Sequence, residues 1–195
     1  MNKLYYNTIV LINNDTIIKD TNPIIREKSL DVNLPLSKED MDLLMDMFTY
    51  VKESTDEEMA EKKNLRPAVG ISAIQLGINK KLTAIAIRDE DGNFIHEYAL
   101  ANPKIISYSV EKTYLGTGEG CLSVEDEHQG YIHRSRRIKV KAYDALNSKE
   151  VILKLSGYLA IVFQHELDHF KGVLFYDHIN IKDPFYVEEN SEIIE

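Results

Sequence analysis

The stretch of sequence that decides the fold is SGYLAIVFQHELDHF, residues 156–170. Its apolar residues recur at helical spacing, Ser156 is a residue type that caps helix N-termini, and Gly172 follows as a stop signal. We therefore predict a helix that begins near residue 157 and ends near residue 170.

This helix contains the motif H-E-x-x-H as HELDH, residues 165–169. Residues four apart share one helix face, so His165 and His169 can bind one metal ion together. Glu166 lies about 100° around the helix from His165. From there its carboxylate can take a proton from a water at the metal without being a ligand itself.

The side chains before the motif indicate that the histidines face inward. Tyr158, Ile161 and Val162 precede His165 by one to two helical turns on the same face. Inward imidazoles without a polar partner are costly to bury, which favours a metal. A pair of core histidines that satisfy each other by hydrogen bonding is the alternative.

A catalytic centre of this kind needs a third protein ligand and an open position. Phe175 stands where the longer motif H-E-x-x-H-x-x-G-x-x-H has a third histidine, and His178, beyond the predicted helix, is our second choice. Cys121 in EGCLS, residues 119–123, is the first choice, because a thiolate is a strong ligand and Gly120 lets the backbone approach a metal. A buried structural cysteine is the alternative.

The rest of the chain predicts an α+β fold. Ser37 begins a predicted amphipathic helix. The polar residues 52–63 either extend this helix or form a loop, and their composition favours a solvated insertion. Asp91-Gly92 predicts a hairpin turn. Predicted strands cover residues 81–88, 98–101, 104–110, 138–143, 151–155 and 173–176. Because these strands show no βαβ rhythm, we expect antiparallel β-sheets packed around a central helix that carries the HExxH motif, plus one N-terminal helix.

Length and composition fit one globular domain. The 195 residues suit a single domain over 1–195, with a frayed acidic tail from about residue 181. The net charge of -9 argues against direct nucleic-acid binding. The lone Cys121 fits a reducing compartment, the first twenty residues lack a signal-peptide pattern, and no run approaches a membrane span. We therefore expect a cytoplasmic protein without membrane contact.

Three motifs resemble those of the peptide deformylases. The family patterns are G-φ-G-φ-A-A-x-Q, E-G-C-L-S and Q-H-E-x-D-H. The corresponding stretches of this chain, in the same order, are AVGISAIQ (residues 68–75), EGCLS (119–123) and QHELDH (164–169). The resemblance covers essentially the whole chain. The long polar segment before the first motif and the absence of a basic C-terminal helix resemble the Gram-positive-type (type 2) subgroup. The resemblance implies a hydrolase that removes the formyl group from the N-terminal formyl-methionine of new proteins and releases formate.

The resemblance implies the metal chemistry of the matching positions. Cys121, His165 and His169 would hold one divalent ion, and Glu166 would act as the general base and then as the acid for the leaving amine. Spacing alone suggests zinc. The resemblance implies Fe²⁺, with Zn²⁺, Ni²⁺ or Co²⁺ as substitutes.

The resemblance also implies how a formylated peptide is held. The backbone N–H of Leu122 and the side-chain amide of Gln75 would stabilise the oxyanion, because preorganised donors act where negative charge develops. Val69, Gly70 and Gly120 would pair with the substrate backbone as an added strand.

Further residues have more general roles. Tyr158, Ile161 and Val162 are predicted to wall the pocket for the methionine side chain, or else to pack as ordinary core. Arg134 and Asp168 are candidate partners of the metal-binding histidines or, alternatively, surface ion pairs.

Two departures and two alternative functions remain. Ala68 and Ser72 replace a glycine and an alanine of the first motif; Ala68 would be harmful at positive φ, and a buried Ser72 hydroxyl would need a partner. The alternative functions are a peptidase that shares the HExxH motif and a non-enzymatic metal-binding module. The expected partners are formyl-methionyl nascent polypeptides, and the acidic tail leaves transient ribosome contact open.

Overall fold

The computed structural model describes residues 11–195. Residues 1–10, which carry half of the stretch that argued against a signal peptide, lie outside the described part. The elements, in chain order, are α1 (Lys38–Glu53), α2 (Glu57–Lys63), β1 (Gly70–Ser72), β2 (Leu82–Arg88), β3 (Phe94–Tyr108), β4 (Lys112–Leu115), β5 (Arg134–Ser135), β6 (Arg137–Asp144), β7 (Lys149–Ser156), α3 (Gly157–His169) and β8 (Ser191–Ile194). Short 3-10 helices cover Pro23–Arg26, Ala73–Leu76 and Phe175–His178.

The strands form two sheets, and the α+β prediction is confirmed. The main sheet has the order β1-β2-β3-β6-β7 and is antiparallel throughout, and a smaller sheet has the order β5-β4-β8. The predicted turn joins β2 to β3, with Gly92 at φ +83°. The two strands predicted over residues 98–110 are one long strand, and register shifts interrupt its pairing with β6.

Helix α3 lies at the centre and carries the HExxH motif, as predicted. Nearly every residue from Leu159 to His169 is buried, so this stretch of the helix has no solvent-exposed face and is enclosed by other elements. Phe163 and Leu167 belong to the same buried cluster as Leu100 and Val140 of the main sheet. Ser156 occupies the N-cap position without a side-chain capping bond.

Helix α1 packs against β1, β2 and β3 of the main sheet. The hydroxyl of Ser37 accepts the backbone N–H of Asp40 at 3.1 Å, which fixes the predicted start of the helix. Leu44, Met47 and Val51 belong to the same buried cluster as several apolar residues of β1 and β2. This packing holds β1 against α3.

The prediction of a single N-terminal helix is wrong. Residues 52–63 are at least partly exposed except for Ser54, as expected of a solvated insertion, but they contain the end of α1 and a second helix, α2, none of whose residues is buried. Asp56 caps α2 by accepting the backbone N–H of Met59, and Asn64 ends it at φ 54°. Local capping therefore makes this segment helical without any burial.

The expectation of a frayed tail does not hold for β8, which pairs in parallel with β4. The predicted closing strand over residues 173–176 is also wrong, because Asp177 accepts the backbone N–H of Leu174 and a 3-10 helix forms there. None of the helices in residues 11–195 combines the length and apolar character that a membrane span requires.

Candidate metal centre and active site

The structure brings Cys121, His165 and His169 together. One ligand atom from each residue lies within 4.8 Å of the others. The Sγ atom of Cys121 is 3.5 Å from Nε2 of His169. Sulfur and nitrogen ligands of a tetrahedral ion, at about 2.3 and 2.0 Å from the metal, are themselves about 3.5 Å apart. The donor set and its spacing therefore fit a divalent metal.

The surroundings of Cys121 favour its thiolate form. Burial alone would raise the pKa of the thiol, but the imidazoles of His169 and His165 outweigh burial and lower this pKa well below its ordinary value. Because the thiolate is the form that binds metals, the buried Cys121 is prepared to act as a ligand.

The two other downstream positions take different roles. Phe175 is buried, and its ring lies nearly parallel to that of His165 with the centroids 6.2 Å apart. His178 bonds through Nε2 to a carboxylate oxygen of Asp168 at 2.8 Å. His178, our second choice, is thus outside the cluster that Cys121 completes.

The other ring nitrogen of His165 has a carboxylate partner that sequence reasoning missed. Nδ1 of His165 donates to Oε2 of the buried Glu119 at 2.9 Å. Burial alone would raise the pKa of Glu119, but the opposing effects of Arg134 and His165 are larger and lower this pKa to about 2. The carboxylate of Glu119 therefore stays ionised. A proton fixed on Nδ1 leaves Nε2 free for the metal. The sequence did contain a signal for this role, because Glu119 belongs to the same EGCLS motif as Cys121.

Arg134 and Asp168 stabilise the position of Glu119. Arg134 donates to Glu119 and, at 2.9 Å, to Asp168. Asp168 also accepts from Lys171 at 3.0 Å. Arg134 therefore acts on the site through Glu119, and Asp168 anchors Arg134.

Glu166 lies beside the cluster, in contact with β1. Burial raises the pKa of this carboxyl above its ordinary value, which suits a base that works near neutral pH. The hydroxyl of Ser72 donates to Oε2 of Glu166 at 2.8 Å, so the extra hydroxyl has found its partner. A Cβ atom on Gly70 would lie only 2.6 Å from Oε1, so only glycine leaves room for the carboxylate. Ala68 is not among the residues at positive φ, and the concern about this departure does not apply.

Gln75 is oriented toward the cluster by two contacts. Its Oε1 accepts the backbone N–H of Ser72 at 2.8 Å. This turns Nε2 toward Ser123 Oγ at 3.3 Å and Cys121 Sγ at 3.6 Å. A side-chain amide donor therefore lies next to the candidate metal ligands.

A cavity of about 350 Å³ opens onto these groups. Its lining includes the residues predicted to bind substrate and to stabilise the oxyanion, namely Val69, Gly70, Gln75, Gly120, Leu122, Tyr158, Ile161 and Val162. Cys121, His165 and Glu166 line it as well. A Cβ atom on Gly120 would meet no described atom within 4 Å, so no protein neighbour requires this glycine, and the space beside it is open.

Comparison with known proteins identifies the family. The family model of polypeptide deformylase matches residues 14–184. The chain belongs to this family. Peptide deformylase 2 of Bacillus cereus is 50% identical over 179 residues, which cover 92% of this chain and 96% of the relative. The predicted membership of a deformylase family of the Gram-positive type is confirmed, and with it the metal dependence of the family.

Solved deformylase structures share the fold. Peptide deformylase 1B of Arabidopsis thaliana in complex with an inhibitor has a TM-score of 0.68 at 31% identity, covering 85% of this chain and 82% of that one. A class I type b peptide deformylase from Acinetobacter baumannii with Met-Ala-Ser bound has a TM-score of 0.65 at 27% identity, covering 84% of this chain and 96% of that one.

Proposed function

We propose that this protein removes the formyl group from the N-terminal formyl-methionine of newly synthesised proteins and releases formate. The observation that carries the proposal is the cluster of Cys121, His165 and His169, in which only His165 is partly exposed, next to the buried Glu166 on the wall of a cavity in a chain of the deformylase family. We take residues 1–195 as one catalytic domain. It would act in the cytoplasm, where an unpaired thiol stays reduced.

Cys121, His165 and His169 would hold the metal ion. One thiolate and two imidazoles suit Fe²⁺, the ion implied by the family resemblance, and also Zn²⁺, Ni²⁺ and Co²⁺. When bound, the metal supplies Lewis acidity that polarises a carbonyl and lowers the pKa of a water molecule. The contact of His165 with Glu119 supports this assignment, because it orients the imidazole toward the cluster.

Glu166 would transfer the proton. Its carboxylate takes a proton from the water that attacks the formyl carbon and gives it to the leaving amine, so the methionine amino group departs neutral. The N–H groups of Gln75 and Leu122 would donate to the oxygen that becomes negative during the attack. The fixed orientation of the Gln75 amide supports this role, because a preorganised donor needs no rearrangement during the reaction.

The cavity suits an extended peptide that begins with methionine. Strand β1 lies at the edge of the main sheet, where an extended segment can add as a further strand beside Val69 and Gly70, with Gly120 opposite. Tyr158, Ile161 and Val162 supply an apolar wall for an unbranched side chain. The Acinetobacter relative with Met-Ala-Ser bound supports this class of ligand.

Nascent polypeptides are thus the proposed partners. Any contact with the ribosome would be transient, since a protein with a net charge of -9 has little electrostatic attraction to RNA.

Formate release from formyl-Met-Ala-Ser by anaerobically purified protein tests the proposal. We expect formate from the formylated peptide and no cleavage of unformylated Met-Ala-Ser, whereas a peptidase would give the reverse. Glu166→Gln should keep its metal and lose about 10²-fold or more in kcat, because the general base is gone. Glu111→Gln, which changes an exposed glutamate paired with Arg137, is the matched control and should stay active.

Two results would contradict the proposal. One is a folded, metal-loaded parent protein that leaves the formylated peptide intact, as a non-enzymatic metal-binding module would. The other is a Glu166→Gln protein as active as the parent.

A further inference from the structure

Ser72 is a fully buried polar residue in a position where the deformylase motif has alanine. Its Oγ lies 2.8 Å from Oε2 of Glu166 and 3.1 Å from the main-chain oxygen of the same residue. Thr83 Oγ1 is 3.4 Å away and donates its own proton to the main-chain oxygen of Ile71 at 2.9 Å. Ser72 therefore has one proton and three acceptors within reach, and the two nearest, at 2.8 and 3.1 Å, are both on Glu166.

The two acceptors imply different roles for Ser72. A bond to the main-chain oxygen would only secure the last turn of α3, whereas a bond to the carboxylate would hold the reacting group. The carboxylate oxygen is nearer and carries charge, and charged acceptors form the shorter and stronger hydrogen bonds. The hydroxyl of Ser72 therefore donates its hydrogen bond to the carboxylate.

Strand β1 holds both oxygens of the Glu166 carboxylate. Gly70 and Ser72 are two residues apart in a strand and so face the same side, toward α3. Oε1 of Glu166 occupies the space that a side chain on Gly70 would take, and Oε2 accepts from Ser72. The space above Gly70 admits Oε1, and the hydrogen bond from Ser72 holds Oε2. Together they fix the orientation of the Glu166 carboxylate.

We propose that Ser72 is a positioning residue, which fixes the orientation of the Glu166 carboxylate for proton transfer through its side-chain hydroxyl. The proposal rests on the deformylase function proposed above. The hydroxyl can be tested apart from the rest of the residue, because the contact of Ser72 with Gln75 uses the backbone N–H, which any residue supplies.

Ser72→Ala is the central variant, and Thr83→Val is its matched control. Thr83→Val removes a buried hydroxyl from the neighbouring strand, within 3.4 Å of Ser72, whose hydrogen bond goes to Ile71 rather than to Glu166. For each variant, kcat and KM with formyl-Met-Ala-Ser, the bound metal per chain and Tm are measured. Ser72→Cys, which keeps a weak donor of similar size, serves as the conservative variant.

Positioning predicts a specific pattern. Ser72→Ala should lower kcat by about tenfold, the worth of one charge-assisted hydrogen bond, with KM and metal content within about twofold of the parent. Ser72→Cys should fall between the parent and Ser72→Ala. Thr83→Val should keep kcat within about twofold even where its Tm is lower.

Other outcomes overturn the proposal. A Ser72→Ala protein with full metal content and unchanged kcat, or one whose only change is a lower Tm, assigns Ser72 a structural role at the end of α3. If Thr83→Val lowers kcat as much as Ser72→Ala does, the role of Ser72 is again structural, because Thr83→Val removes no hydrogen bond to Glu166. A parent protein that releases no formate rejects the proposed function itself, and the parent measurement separates the two failures.

Discussion

Replacement of Gly70 by alanine probes how closely β1 approaches the carboxylate of Glu166, the proposed general base. The new Cβ would lie 2.6 Å from Oε1 of Glu166 and 2.9 Å from its Cγ and Cδ, whereas ordinary contacts begin at 3.4 Å. Glu166 therefore has to move by about 0.8 Å. A catalytic group misplaced by about 1 Å can cost 10²-fold in rate. We expect Gly70→Ala to lower kcat by about 10²-fold.

The assay is formate release from formyl-Met-Ala-Ser, with bound metal and Tm measured on the same samples. Gly116→Ala is the control, because the only close contact of its Cβ would be with the end of the exposed Ile193 side chain, at 3.0 Å, and the nearest main-chain atom would lie at an ordinary 3.7 Å. That variant should keep kcat within about twofold of the parent. A fully metal-loaded Gly70→Ala protein with kcat within about threefold of the parent would refute the reasoning, because Glu166 would then not need the space above Gly70.

Two further predictions concern stability and metal affinity. Gly172→Ala should lower the free energy of unfolding by about 3 kcal/mol or more, since Gly172 has φ +71° and its Cβ would lie 2.0 Å from the main-chain oxygen of Arg26; urea denaturation measures this, and a loss below about 1 kcal/mol would count against it. Glu119→Gln should weaken metal binding by about 10- to 100-fold because His165 loses its charged acceptor; competition with a chelator measures this, and an affinity equal to that of a Glu111→Gln control would contradict it.

The sequence predicted the elements whose signals are local. The helix α3 could be read from apolar spacing and from Gly172, and the β2–β3 hairpin from Asp91-Gly92. The two histidines of the candidate metal site could be anticipated from one helical motif, because residues four apart share a face whatever surrounds them. Cys121 needed a second argument, since nothing in its spacing to the helix fixes a distance.

Contacts between residues far apart in the chain could not be predicted. Ser72 and Glu166 are 94 residues apart, and only the packing of β1 against α3 brings the hydroxyl to the carboxylate. The pairing of β8 with β4 is likewise long-range, and the acidic composition of the tail gave no sign of it. Helix α2 was missed for the opposite reason: its capping is local, but it buries no residue and so lacks the apolar pattern on which the prediction relied.

X-ray absorption spectroscopy on the anaerobically purified protein tests the central claim most directly, because it reports the atoms bound to the metal. Coordination by Cys121, His165 and His169 predicts one metal ion per chain with one sulfur ligand at about 2.3 Å and two imidazole nitrogens at about 2.0–2.1 Å. Cys121→Ser should remove the sulfur signal. A bound metal without a sulfur ligand, or a sulfur signal that survives Cys121→Ser, would contradict the account.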